Sequence, residues 1–204
     1  MPNASIALPL GFHLLKFPVL FFCFGLAWSC QGGSASAQTA ETAVGKVDPT
    51  VPLRQEADDR DRPVDALILR MGSAVAAPGA KVCLPVEATG FKELIGFQFT
   101  VRFDSAALKF QSVRELSLPG YRVENFGVRF ADRGYLSTLW TDFNLSAATL
   151  PDGTKLFEVC FENLQKKGQE TEVKFQNGPT AFEVIRKDME QLRFVYANGK
   201  VKTE

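Results

Sequence analysis

Histidine is almost missing from this chain. Its 204 residues hold one, His13, and that one falls in an N-terminal stretch with the character of a leader. The rest has no imidazole to act as a general base, as the middle member of a Ser-His-Asp or Cys-His relay, or as a metal ligand. Net charge is missing too. Lys plus Arg and Asp plus Glu both total 23, so no overall field draws the chain to nucleic acid or to an anionic membrane. Glycine-rich phosphate loops and Asp-rich calcium loops are absent. Carboxylate-only catalysis is the one chemistry left open, with Asp142 as the acid to watch. No second acid stands at a defined spacing from it, so a turn residue at a strand end is the simpler assignment. No cofactor and no metal is expected.

Cysteine is scarce. Of four, Cys23 and Cys30 lie in the leader, which leaves Cys83 and Cys160 for the folded part. The apolar run from Phe17 to Trp28, preceded by Lys16, is shorter than the about 20 residues a membrane-spanning helix needs. It suits the core of an export signal over residues 1–37, with Ala35-Ser36-Ala37 as a cleavage site. Leu26-Ala27-Trp28-Ser29-Cys30 is similar to a lipoprotein box, with Cys30 as the lipidated residue, although Trp28 departs from the small residues usual there. Secretion, a lipid anchor and an uncleaved anchor stay open. An even cysteine pair in an exported domain is a disulfide candidate. Residues 38–63 carry Thr, Ala and Pro, then the charge cluster Arg54 to Arg62. They show no apolar periodicity, so a solvated linker is expected.

Beyond residue 64 the chain is rich in Phe, with 18 in all, and many stand at alternating positions. Val82, Leu84 and Val86 face one way. Phe97, Phe99, Val101 and Phe103 face in, with Gln98, Thr100 and Arg102 facing out. Phe157, Val159 and Phe161 repeat the pattern. Period-two alternation marks a strand with one buried and one wet face. Pro78-Gly79, Thr89-Gly90, Pro119-Gly120, Asp132-Arg133-Gly134, Pro151-Asp152-Gly153 and Asn177-Gly178-Pro179 supply turns. Asn198-Gly199 predicts a tight hairpin. Many short strands without helical periodicity predict an all-β sandwich or barrel over residues 64–204. Trp140 shares parity with Leu136 and Thr138 and is assigned to the core. Outward aromatics are limited to Tyr121, Phe130, Tyr135 and Phe143, which is thin support for a sugar-binding platform.

Four segments, in order, resemble a bacterial cohesin domain. They are Pro-Gly-x-x-Val-x-Leu-Pro-Val at Pro78 to Val86, and Gly-Phe-Gln-Phe-x-Val-x-Phe-Asp-x-x-x-Leu at Gly96 to Leu108. Gly-x-Leu-x-x-x-Trp-x-Asp follows at Gly134 to Asp142, and Pro-Asp-Gly-x-x-Leu-Phe-x-Val-x-Phe at Pro151 to Phe161. The resemblance implies a nine-stranded jelly-roll β-sandwich and a non-catalytic role. That role is to dock a dockerin-type protein partner in a polysaccharide-degrading or cell-surface setting. By position it implies a partner-binding face made of Gln98, Thr100, Arg102, Phe130, Leu139, Thr141 and Asp142. Gly96 and Gln98 stand where the family pattern has Asn and Asp-like groups. In the cohesin arrangement the strands of Cys83 and Cys160 are neighbours. Both cysteines point outward by parity, which permits a cross-strand disulfide on the sheet surface. A polysaccharide-binding module is the alternative from another class, and a carboxylate hydrolase is a third. Contact with a membrane is expected only through a lipid at Cys30, and nucleic acid is not expected as a partner.

Overall fold

A computed structural model of the chain describes residues 41–56 and 65–204. The export signal, lipidation at Cys30 and residues 38–40 and 57–63 of the expected linker lie outside the described residues. The strands are β1 (Ala43–Val44), β2 (Arg54–Gln55), β3 (Ala66–Met71), β4 (Ala74–Ala76), β5 (Lys81–Thr89), β6 (Leu94–Arg102) and β7 (Leu108–Arg114). They continue as β8 (Phe126–Gly127), β9 (Tyr135–Thr141), β10 (Thr154–Asn163), β11 (Glu170–Gln176), β12 (Glu183–Arg186), β13 (Arg193–Ala197) and β14 (Gly199–Thr203). Among the described residues there is no α-helix, only two short 3-10 turns on either side of β8.

Two seven-stranded sheets face each other. The first runs β2-β13-β3-β5-β10-β7, with β1 also on β5; the second runs β4-β14-β11-β6-β9-β8, with β12 also on β6. The alternations place the core between them. Val82, Leu84 and Val86 of β5, Phe97, Phe99 and Val101 of β6, and Phe157, Val159 and Phe161 of β10 are all buried. Rings interlock across the gap: Phe99 of the second sheet contacts Phe157 and Phe194 of the first at centroid distances of 6.4 and 5.5 Å. Burying so many rings supplies both apolar area and edge-to-face contacts. At one end the buried Asn163 amide ties the sheets together, donating from β10 to the Ala77 carbonyl and to Thr203 Oγ1 of β14 at 3.1 and 3.0 Å.

The expected nine strands become fourteen among the described residues, partly because two extended segments each divide into two strands where they cross from the first sheet to the second. After Met71 the chain leaves the first sheet and resumes as β4 in the second. After Ala197 it does the same and resumes as β14. The two crossings run alongside each other, since β13 is parallel to β3 and β14 is parallel to β4. Asn198-Gly199 is therefore a crossing and not the hairpin its sequence suggests. The buried Asn198 side chain accepts from the Phe175 amide at 3.1 Å and donates to Glu172 at 2.9 Å, standing in for ladder bonds lost at the corner. Gly199 is required by closeness: a Cβ there would overlap the Gly72 carbonyl oxygen of the neighbouring crossing.

The linker expectation is corrected over residues 41–56. Because β3 pairs only with the Val86–Thr89 half of β5, the other half would be left with an open edge. β1 fills it, pairing parallel through Ala43 with Val82 and Val44 with Cys83. The Gly45 amide donates to the Cys83 carbonyl at 2.7 Å, and Lys46 and Ser73 exchange backbone bonds of 2.9 and 2.8 Å. β2 then pairs with β13 at the sheet edge, and Arg70 donates to the Val51 carbonyl at 3.0 Å on the way. This docking relies on backbone groups, which composition does not reveal.

Cys83 and Cys160 stand directly opposite each other on β5 and β10 and are joined, with S–S 2.08 Å and Cα–Cα 4.0 Å. The expected surface position is corrected, since both are fully buried. Their outward face is covered locally: Pro85 and Glu158 beside them are buried as well.

Candidate functional site

β6 is the centre of the second sheet and the register builds its outer face. Gly96 lies between Thr141 of β9 and Ile185 of β12, and Gln98 lies between Leu139 and Glu183. With no side chain at Gly96, the flanking groups leave a shallow groove of about 170 Å³, lined by Gly96, Gln98, Leu139, Thr141, Glu183 and Ile185. Leu139 keeps 50 % of its surface exposed. A flat sheet with an apolar notch and a half-buried polar rim has the anatomy of a protein-docking face.

The sequence-expected site residues divide into two groups. Gln98, Leu139 and Thr141 converge on the groove. Thr100 does not. It faces outward by parity, but the loop at Thr180 lies over it and buries it completely. Its hydroxyl donates to the Thr180 carbonyl at 2.9 Å and accepts from the Thr180 amide at 3.0 Å. Arg102 is also corrected. Its guanidinium donates to the carbonyls of Phe103, Arg133 and Gly134 and stacks 4.3 Å from the Tyr135 ring centroid. It closes the corner before β9 and is not free for a partner. Asp142 turns the chain after β9: its carboxylate accepts from the amides of Asn144 at 3.1 Å and Ala147 at 2.9 Å. That cap holds Leu145 and Ala147 at positive φ and leaves Phe143 90 % exposed and Leu145 exposed. Sequence reasoning missed Glu183 and Ile185. Alternation does not say which strand lies beside which, so nothing local marks the strand that carries them as the neighbour of β6.

The model of the cohesin domain matches residues 69–202 of the chain. The chain belongs to the cohesin family. No curated protein matches it, but solved structures do. The OlpA cohesin–dockerin complex of Clostridium thermocellum is 18 % identical, with a TM-score of 0.58 over 68 % of this chain and 99 % of that one. The sixth cohesin of Acetivibrio cellulolyticus scaffoldin B, solved with a Cel5 dockerin, is 22 % identical at 0.57, covering 68 % and 99 %. A non-cellulosomal cohesin of the archaeon Archaeoglobus fulgidus is 18 % identical at 0.53, covering 68 % and 91 %. The shared feature is the fold, a cohesin jelly roll.

Among the described residues of this cohesin the aromatics give no row on the outer face. Trp140 is buried and donates to the Pro119 carbonyl at 3.0 Å. Tyr121, expected outward, is buried against Phe97, Phe126 and Phe157, with its hydroxyl 2.7 Å from Thr138 Oγ1. Burial holds its phenol protonated well above the usual range. Tyr135 lies under Arg102. Phe130 is 43 % exposed, on the turn leading into β9, with the guanidinium carbons of Arg129 and Arg133 at 5.5 and 5.4 Å from its centroid.

One cluster among the described residues brings three ligand-type atoms within 4.8 Å: Cys83, Glu158 and Cys160. It does not suit a metal. The sulfurs are bonded to each other and offer no thiolate, and the Glu158 carboxylate is taken by Arg114 at 2.7 Å and Lys155 at 2.9 Å. Burial alone would raise that carboxyl, but the hydrogen bonds and charges of Lys155 and Arg114 outweigh it and hold it below its ordinary range.

Proposed function

We propose that this cohesin is a non-catalytic, exported docking module that binds a dockerin-type partner protein through the β12-β6-β9-β8 face. The observation that carries the reading is the concentration of exposed apolar groups on and around that face. Val123, Val128, Phe130, Leu139, Phe143 and Leu145 are all exposed large hydrophobics between β7 and β10, and the Gly96 groove adjoins Leu139. Scattered apolar residues are ordinary on a soluble surface, but clustered ones mark interaction sites. The cohesins of Clostridium thermocellum and Acetivibrio cellulolyticus named above are solved in complex with dockerins, which supports the same class of partner here. A polysaccharide-degrading or cell-surface setting agrees with that partner class. The partner-binding set becomes Gly96, Gln98, Leu139, Thr141, Glu183 and Ile185, with Phe130 at the end of the sheet. Thr100, Arg102 and Asp142 support the backbone beneath it.

Titration of purified dockerin modules against the domain tests this. Leu139→Asp places a charge in the apolar centre of the face and is expected to weaken binding by about a hundredfold. Its exposed position keeps the effect on stability small. Retardation of the domain in polysaccharide gels, with no dockerin bound, would instead favour a sugar-binding module.

A further inference from the structure

Arg129 and Arg133 converge on one ring, and among the described residues neither pairs with an anion. Among the described residues, Arg54, Arg114 and Arg186 each pair with carboxylates, and Arg186 takes three, from Asp65, Asp188 and Glu190. The side chains of Arg129 and Arg133 have ring contacts to Phe130 and no ion pair. The carboxylates nearest in sequence, Glu124 and Asp132, are exposed and form no ion pair with them. Stacking on a ring orients a guanidinium without neutralising it. Two like charges held at one apolar anchor repel each other, and an arriving carboxylate relieves that repulsion while meeting the fork of either guanidinium. The chain as a whole has no net charge, and residues 122–133 carry three arginines against two carboxylates.

We propose that this Phe130 end of the face is an electrostatic anchor that selects partners presenting acidic side chains beside an apolar one. The proposal rests on the docking reading above and names the chemistry of the partner. Continuity supports it: Phe130 accepts the Tyr135 amide at 3.0 Å, so the anchor leads directly into β9, which carries Leu139 and Thr141. A partner helix or loop seated in the Gly96 groove and extending along β9 would bring its far end to the two arginines. Charges at the rim of an interface act mainly on encounter rate and partner choice.

The test uses the full domain and purified dockerin modules of graded acidity, with association rates followed by surface plasmon resonance at low and high salt. Wild type is expected to bind the acidic modules. The double variant R129E/R133E is expected to associate with them about tenfold more slowly at low salt, and the gap should close at high salt as the charges are screened. R129K/R133K should keep most of the rate. Lysine substitution of the acidic contact residues on the module should restore binding to R129E/R133E. Melting curves of both double variants should match wild type, because both side chains are exposed. Wild-type rate and salt dependence in R129E/R133E, while Leu139→Asp weakens binding as expected, would overturn the anchor and leave the docking reading intact. Failure of wild type to bind any dockerin, or binding of an acidic polysaccharide alone, would overturn both.

Discussion

Gly134 occupies the corner that Arg102 closes. Its φ is +79°, and a Cβ there would overlap the Phe103 carbonyl oxygen and the Arg102 guanidinium. Either fault disfavours a side chain, and both act together. Gly134→Ala is expected to destabilise the domain by about 2 kcal/mol or more, read as a drop in the midpoint of chemical denaturation. Glu158 gives a second residue-level expectation. Its carboxyl is held below its ordinary value of 4.5, so its charged form favours the folded state. That stability is fully present above the ordinary value and is lost as pH falls through the lower folded value. The stability gap between wild type and Glu158→Gln should therefore be constant from neutral pH down to the ordinary carboxyl range and shrink below it. A gap that widened on acidification would contradict the assignment.

Among the elements, the strands with strict alternation were legible. β5, β6 and β10 lie where Val82, Phe97 and Phe157 place them, because burying one face of a pleated ribbon forces period two. What alternation cannot give is the neighbour. Thr100 and Arg102 do point away from the core, yet the Thr180 loop and the Arg133-Gly134 corner cover them, and no local pattern announces a loop from a distant part of the chain. Asn198-Gly199 has the composition of a tight turn, but its two flanking strands find partners in different sheets. The segment 41–56 was hidden for another reason: it joins the fold through its backbone. Deleting residues 1–47 removes β1 and exposes the Val82–Cys83 edge, so a clear fall in melting temperature is expected, where a solvated tether would give none. Slow exchange of the Gly45 and Lys46 amides in the full chain is the matching observation by hydrogen exchange.

At the scale of the molecule, the Cys83–Cys160 bond closes a loop of 77 residues across β5 and β10. The chain-entropy model gives such a bridge about 4.5 kcal/mol. Reducing it, or replacing both cysteines with Ser, should lower the unfolding free energy by that order in a denaturant titration, with the fold retained because the bridge spans a ladder already paired along its length. Strand parity shows the outward direction of both cysteines, but their burial depends on neighbours such as Pro85 and Glu158, whose packing is set only in the assembled sheet. The first sheet thus carries the stabilising bridge and the N-terminal strands, and the second presents the groove. The second sheet is proposed as the docking face. Amide chemical-shift mapping of the labelled domain during titration with a dockerin module tests it most directly. Shifts concentrated at Gly96, Gln98, Leu139, Thr141, Glu183 and Ile185 are the predicted result, and shifts confined to the outer face of the first sheet, or none at saturating module, would contradict it.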